Sequence, residues 1–493
     1  MAEPREGRLS EGPAPELVRS AFRWEVGLAP ILWPGIGPAD LAHTTMLIEV
    51  GVLPHEIGRR LLTLLLELQA LPLDRFPLDP ARGDVYTNRE HWLVERDREA
   101  AGWFSAGRAR REATTIAYHL AVRERLLALT KASVAYLEAL LAQAEAHVAT
   151  IMPDYTYLQP AQPTTLAHYL LGFAYPAMRD LERLRAAFQR INRSPAGGGS
   201  TNGSRLPLDR HRLAELLGFE GIVTHPRDAM WQADGPLEAM AALVALLLNL
   251  DRLAEDLQIW STEEFGFVEL ADAHARTSII MPQKKNPYAL AFVRGVTGDL
   301  IGRLASMAAV GKTPSGQVDN RIFAYGEVPH ALDRAIETAD LMAGVLRGLQ
   351  VNRTRLAQRA SEGYAQATDL AETIMLEAGL DYRTAHAVVG HAVRRAAQEG
   401  APLDQGRLNQ AARDVLGHTL ALSAETVRAA LDPEALVAGR TGLGGAAEAP
   451  VRAMIDEVRH AAGEATVWYQ AAQARLIEVD ERLMQRARAL ANP

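Results

Sequence analysis

Leu126-Leu-Ala-Leu-Thr-Lys-Ala-Ser-Val-Ala-Tyr-Leu-Glu-Ala-Leu-Leu141 lies inside a run, Arg108 to Met152, that contains neither glycine nor proline. Its apolar residues (Leu120, Val122, Leu126, Leu127, Leu129, Val134, Leu137, Leu140, Leu141) recur at spacings of three and four, the period of a helix. Continued to Pro153, the run would form a rod of roughly 65 Å at 1.5 Å per residue, far longer than an ordinary globular helix. Further long helices are expected at Thr165 to Arg193, Leu237 to Ser261, Pro287 to Val310 and Glu327 to Leu349. The stretch from Leu237 is apolar almost all round before Asn249, which predicts deep burial. No comparable run alternates with a period of two, so the expected fold class is all-α. Strict heptads are not sustained, which argues against a simple coiled coil.

Around these rods the 493-residue chain divides at two changes of texture. Residues 1–110 read as a domain of shorter helices, broken at Pro34-Gly-Ile-Gly-Pro38 and between Pro72 and Pro80. Residues 111–360 hold the long helices, and residues 361–493 resume shorter ones with breaks at Gly379, Gly400 and Gly439 to Gly445. A formal net charge of -8 argues against nucleic acid as a partner. Cysteine is absent, which removes disulfides, thiolate nucleophiles and cysteine-based metal sites. The longest apolar run, Ala239 to Leu248, is too short for a membrane span of about 20 residues. Met1 to Pro15 lack the charged-then-apolar pattern of a signal peptide, so a cytoplasmic location is expected.

The chemistry concentrates in Arg276-Thr-Ser-Ile-Ile-Met-Pro-Gln-Lys-Lys-Asn-Pro287. The chain's lysines are Lys131, Lys284, Lys285 and Lys312, arginine supplying the other positive charge. Two adjacent ammonium groups in such a chain, beside a serine and an asparagine, point to a site that needs compact point charges. His43, His119, His168, His225 and His274 show no metal-ligand spacing. The glycine-rich Gly197-Gly-Gly-Ser-Thr-Asn-Gly203 matches neither a dinucleotide fingerprint nor a phosphate-binding loop.

The 276–287 segment resembles the signature loop of the fumarase/aspartase superfamily, in the Gln-Lys-Lys-Asn-Pro form of the argininosuccinate lyase branch. Leu253-Ala-Glu-Asp-Leu257, Ser261-Thr-Glu-Glu-Phe-Gly-Phe-Val-Glu-Leu270, Ala367-Thr-Asp-Leu-Ala371, Ala385-His-Ala-Val-Val-Gly390 and Leu431-Asp-Pro433 through Gly444-Gly445 extend the likeness over most of the chain. The resemblance implies an all-α, three-domain fold with a central bundle of long helices. It also implies a homotetramer whose active sites are shared between subunits, with no metal or organic cofactor. The implied reaction is an anti β-elimination that releases an amine and fumarate. Ser278 falls on the catalytic base, while Lys284 and Asn286 would hold a substrate carboxylate. The loop's customary glycine and second serine are here Thr277 and Ile279.

Two more patches are similar to the family and depart from it. Ser105-Ala-Gly-Arg-Ala-Arg-Arg-Glu112 keeps Arg108 and Arg110, and Arg110 is expected to clamp a carboxylate. Arg111 replaces a substrate-binding asparagine and would suit a more anionic substrate. Tyr155-Thr-Tyr-Leu-Gln-Pro-Ala-Gln-Pro163 keeps Thr156 and Gln159, but Tyr157 stands where the family has a proton-transferring histidine. In Asp84-Val-Tyr-Thr-Asn88, Tyr86 likewise replaces a histidine. In Arg227-Asp-Ala-Met-Trp-Gln-Ala-Asp234, Asp228 is kept and Ala233 occupies a usual arginine position; Ala29 and Trp33 replace polar residues. No equivalent of the family's Tyr/Gln/Lys cluster is recognisable in 316–325. The aspartate-derived half of the site is thus preserved and the leaving-group half rebuilt. The expected substrate is a small dicarboxylate or aminopolycarboxylate, as in the ethylenediamine-disuccinate lyase type. The alternatives are a true argininosuccinate lyase, or a structural or regulatory homologue without catalysis, as some lens crystallins are.

Overall fold

The computed structural model describes residues 8, 9, 11–231, 233–312 and 321–492. Its spine is a set of long helices: α1 (Ala29–Glu49), α2 (Arg110–Ala146), α3 (Leu166–Ile191), α4 (Asp234–Trp260), α5 (Tyr288–Gly311), α6 (Arg321–Arg347) and α7 (Glu448–Ala491). Helix α2 is the axis, packing most extensively against α6 and α3 and also against α1 and α7. Strand pairing among the described residues is confined to three two-stranded sheets and an isolated bridge between Ser194 and Ile222. The fold is all-α, as the periodicity predicts.

Helix α2 starts after the extended Ala109 and stops at His147. Its 37 residues form a rod of about 55 Å, shorter than the run to Pro153 suggests. The remainder pairs instead as an antiparallel hairpin, β1 (Ile151–Thr156) with β2 (Gln159–Thr165). Pro153 therefore sits in a strand, opposite Pro163, which a two-stranded ribbon tolerates because each strand is an edge. Helix α2 has the length and hydropathy of a membrane span, but most of its apolar window is buried inside the subunit.

Two local expectations fail for tertiary reasons. Pro34 and Pro38 do not break the chain but lie inside α1. A side chain on Gly35 would come within 2.9 Å of the Ala117 backbone, so α1 and α2 touch at main-chain distance. That buried contact offsets the roughly 3 kcal/mol that an interior proline costs. Residues 361–493 do not share one core. Leu370 to Ala430 form a small separate cluster, whereas Val451 to Ala491 join the main core. The 44-residue α7 is amphipathic and runs unbroken through Gly463, a residue that hides its length in the sequence.

The start of α2 is fixed by a buried charge cluster. The Asp40 carboxylate lies 2.8 Å from Arg89 on one oxygen and 2.8 Å from Arg108 on the other, all essentially inaccessible to solvent. Trp33 stacks on Arg89, and Tyr86 and Phe104 on Arg108. His43 bonds the Ala106 carbonyl at 2.9 Å; burial first, then Arg108, holds its imidazole well below its usual range. Removing the shared anion leaves two uncompensated guanidiniums. Asp40→Ala is expected to lower unfolding stability by about 3–5 kcal/mol, read from urea midpoints by circular dichroism at fixed protein concentration.

Candidate active site

The signature loop is a hairpin closed at its root, where Arg276 opposes Asn286 and Thr277 opposes Lys285. The Asn286 side-chain amide donates to the Arg276 carbonyl at 2.9 Å, so part of its donor capacity holds the loop together. Ser278 Oγ accepts the Met281 N–H at 3.1 Å, and the Lys284 N–H closes a turn onto the Met281 carbonyl at 3.0 Å. At the tip Ile279, Ile280 and Met281 project into solvent. Upstream, His274 packs its ring where a side chain on Gly344 would sit, 2.9 Å from Nε2. Glycine at 344 is thus what lets the loop's root dock against α6.

The two adjacent lysines separate cleanly. The Lys285 ammonium lies 2.7 Å from both Glu269 and Asp272, and hydrogen bonding to Asp272 and Glu269 raises its pKa. Lys284 has no carboxylate partner among the described residues, and with Gln258, Glu264, Asn286 and Asn352 it lines a cavity of about 850 Å³. Ser278 does not line that cavity. The cavity thus takes in the lysine side of the loop and not the serine.

Thr156, Tyr157 and Gln159 crown the β1–β2 hairpin, with Thr156 and Gln159 directly paired. The two turn residues, Tyr157 (φ 55°) and Leu158 (φ 58°), are both left-handed, as a two-residue hairpin of this twist requires. Asparagine and glycine suit such a turn; tyrosine and leucine cost roughly 1–2 kcal/mol each. Strain at a fully exposed aromatic (Tyr157 is 99% accessible) is how functional positions often declare themselves. The hairpin stands at the same end of the molecule as the signature loop. Tyr155 packs on Phe265 and Phe267, Val268–Glu269 pairs with Gln350–Val351, and Arg353 bonds the Ala146 carbonyl that ends α2.

Arg110 and Arg111 lie at the opposite end of α2. Arg110 is half-exposed and 3.4 Å from Asp84, the cap of the helix Val85–Arg96. Arg111 sits 3.8 Å from Glu25. Tyr86, expected at the substrate, is instead buried: its hydroxyl is 2.8 Å from Ser105 Oγ and its ring stacks on Phe104. In this subunit it packs the charged cluster and has no open face to offer. The glycine-rich loop is tied to the same end, since the Gly197 N–H donates to Glu112 at 2.7 Å and Gly199 accepts from Ala109 at 3.3 Å. Ala233 caps the start of α4 and Asp228 lies in the short helix Pro226–Trp231. Ala29 is buried and Trp33 packs on Phe76. Gln232 and residues 316–320 of the rebuilt leaving-group half lie outside the described residues.

One subunit therefore brings Tyr157, Thr156, Gln159, Ser278, Lys284 and Asn286 to one end and leaves Arg110 and Arg111 roughly a rod's length away, about 55 Å. Sequence alone gave no role to Glu112 or His274. The first is a carboxylate among arginines at a helix start, the second a lone histidine, and only packing distinguishes either. Burial raises the Glu112 carboxyl to about 7, against the pull of the Gly197 N–H and Arg108.

Comparison with known proteins gives a consistent picture. A family model described as lyase matches residues 39–302, and one described as argininosuccinate lyase C-terminal matches residues 364–438. The argininosuccinate lyase of Methanoculleus marisnigri is 33% identical over 499 residues, covering 99% of this chain and 99% of that protein. That of Methanothermobacter thermautotrophicus is 33% identical over 426 residues, covering 85% and 91%. The crystal structure of EDDS lyase in complex with formate is 30% identical, with a TM-score of 0.88 over 98% of this chain and 97% of that one.

Two outcomes follow from this geometry. Replacing Tyr157 and Leu158 by Asn and Gly should stabilise the fold by about 1–2 kcal/mol while lowering turnover at least about a hundredfold, measured by thermal unfolding and fumarate absorbance. For Glu112, a folded pKa above the unfolded one means its stability is present below 4.5 and is lost as pH rises through about 7. Glu112→Gln should therefore gain on the native protein by about 2–3 kcal/mol between about pH 5 and 8, checked by denaturation at both values.

Proposed function

Because the chain belongs to the argininosuccinate lyase branch of the fumarase/aspartase superfamily, as a fumarate-releasing carbon–nitrogen lyase, we propose that it reversibly splits an N-substituted aspartate in the cytoplasm. The observation that carries the site assignment is the Ser278 hydroxyl held on the Met281 N–H in a loop that also presents an unmatched Lys284. A backbone donor favours the alkoxide that a serine base needs.

In this mechanism Ser278 takes the proton from the carbon beside one carboxylate. The electron pair delocalises into that carboxylate, where Lys284 and the free capacity of the Asn286 amide stabilise the added charge. The carbon–nitrogen bond then breaks as the double bond of fumarate forms. Tyr157 donates a proton to the departing nitrogen, and Arg110 clamps the second carboxylate in a two-pronged contact, with Arg111 beside it. Thr156 and Gln159 flank Tyr157 and orient the substrate. Tyr86 supports Arg108 from behind.

Residues so far apart in one subunit can act together only if another subunit supplies the missing end. That is the physical support for a homotetramer with shared sites. The outer face of α5 adds to it: Ala291, Gly295, Gly298, Gly302, Ala305 and Ala309 form one exposed helical stripe, and nothing lies within 4 Å of where side chains on the three glycines would sit. Such a face admits a second helix at close range. The exposed Ile279, Ile280 and Met281 would then close over the substrate and exclude water.

The amine is the open quantity, and fumarate addition to a panel of amines, followed by mass spectrometry, identifies it. An adduct is expected with at least one amine, and failure with every diamine and amino acid tested would indicate a non-catalytic homologue. Robust release of fumarate from argininosuccinate would assign that substrate instead. Ser278→Ala should lower kcat by about 10²–10⁴ with little change in KM. Mixing inactive Ser278→Ala and Arg110→Ala subunits should restore activity through hybrid tetramers; no recovery would refute sites shared between subunits.

A further inference from the structure

The signature loop carries three cations, and the fold treats each differently. Lys285 is matched twice, by Glu269 and Asp272. Lys284 reaches the cavity rim. Arg276, at the root, pairs with no carboxylate among the described residues, and its guanidinium lies 5.2 Å from the centre of the Tyr288 ring.

The hairpin ladder sorts these charges in space. Arg276 opposes Asn286, and Thr277 opposes Lys285. Directly opposed residues share a face and successive residues alternate. Arg276 thus points away from the side on which Lys285 meets Glu269 and Asp272. Ser278 follows two residues on, where the strand has ended and its Oγ accepts the Met281 N–H, so the chain holds it within about 7 Å of Arg276. Stacking on an aromatic ring fixes the plane of a guanidinium and leaves its edge N–H groups free, the arrangement that grips a carboxylate with two parallel bonds.

Fumarate itself needs two cationic contacts, and Lys284 and Arg110 supply them in the mechanism above. Arg276 is positive charge beyond that requirement, placed within a small substrate's length of the base. We propose that Arg276, braced by Tyr288, is a specificity-determining residue that binds a carboxylate carried by the amine half of the substrate. The released amine is then an amino acid or aminopolycarboxylate rather than a plain alkylamine. This inference rests on the fumarate-releasing mechanism above. Arg276 takes no part in the bond-breaking step; it selects the partner of fumarate.

The test uses fumarate addition with two amines of matched size, 3-aminopropanoate and propylamine. For the native enzyme the ratio of kcat/KM, carboxylated over plain, is expected to be about ten or more, the worth of one charge-assisted contact. Arg276→Gln should collapse that ratio toward one, Arg276→Lys should retain part of it, and Tyr288→Leu should reduce it mainly through KM for the amine. The subunit assembly mass of each variant is compared with the native value. A native ratio near one, or a native ratio kept by Arg276→Gln, overturns the role of Arg276 while leaving the lyase mechanism standing. No adduct from the native enzyme with any amine of the wider panel overturns the lyase mechanism, and the role of Arg276 with it.

Discussion

Helix α2 sets the distance on which everything else depends. An unbroken rod of 37 residues cannot bend its ends together, so the arginines at its start and the hairpin beyond its finish stay about 55 Å apart. Each end is then fixed by its own local chemistry. At the start, Asp40 balances Arg89 and Arg108 in a solvent-free cluster, and Glu112 tethers the glycine-rich loop. At the finish, the Ala146 carbonyl meets Arg353, and a ladder of short strands carries the chain out to the signature loop. The rod makes a large apolar core possible, and it also keeps Arg110 and Arg111 far from the signature loop.

The signature loop solves a different problem. In the proposed mechanism it holds a weak acid beside positive charge without letting neighbouring carboxylates quench that charge. The two-residue ladder does this by alternation: Lys285 meets Glu269 and Asp272 on one face, while Arg276 lies against the Tyr288 ring on the other. The hairpin at Tyr157 stores strain in the opposite sense. It accepts two unfavourable backbone angles to raise an aromatic hydroxyl clear of the surface, a local loss that the well-packed bundle readily tolerates.

The period of three and four was enough to read the all-α class and the long helices α2 to α6, because burial of one stripe leaves that signature in any sequence. Where local signals misled, a long-range contact had overridden them. Pro34 and Pro38 look like breaks until Gly35 is seen against Ala117. The end of α2 looks helical to Pro153 until its last residues find β2 as a partner. Helix α7 escaped notice because its exposed face is polar and Gly463 reads as a break in the sequence. Ser278, Lys284 and Tyr157 were expected at the site from residue type and spacing, and the proposed mechanism uses them. The burial of Tyr86 was not, since a tyrosine near an active-site motif packs or reacts according to what surrounds it.

The sequence by itself determined the family and the class of chemistry, and it pointed to the residues proposed to perform it, because these depend on identity and spacing along the chain. Only the tertiary structure decided which of two adjacent lysines keeps an unmatched charge, which tyrosine reaches solvent, and how far apart the two halves of the site stand. Those are questions of distance and solvent access, and they are answered by neighbours from remote parts of the chain: Glu269 and Asp272 for Lys285, Phe104 and Ser105 for Tyr86, and the length of α2 for the separation.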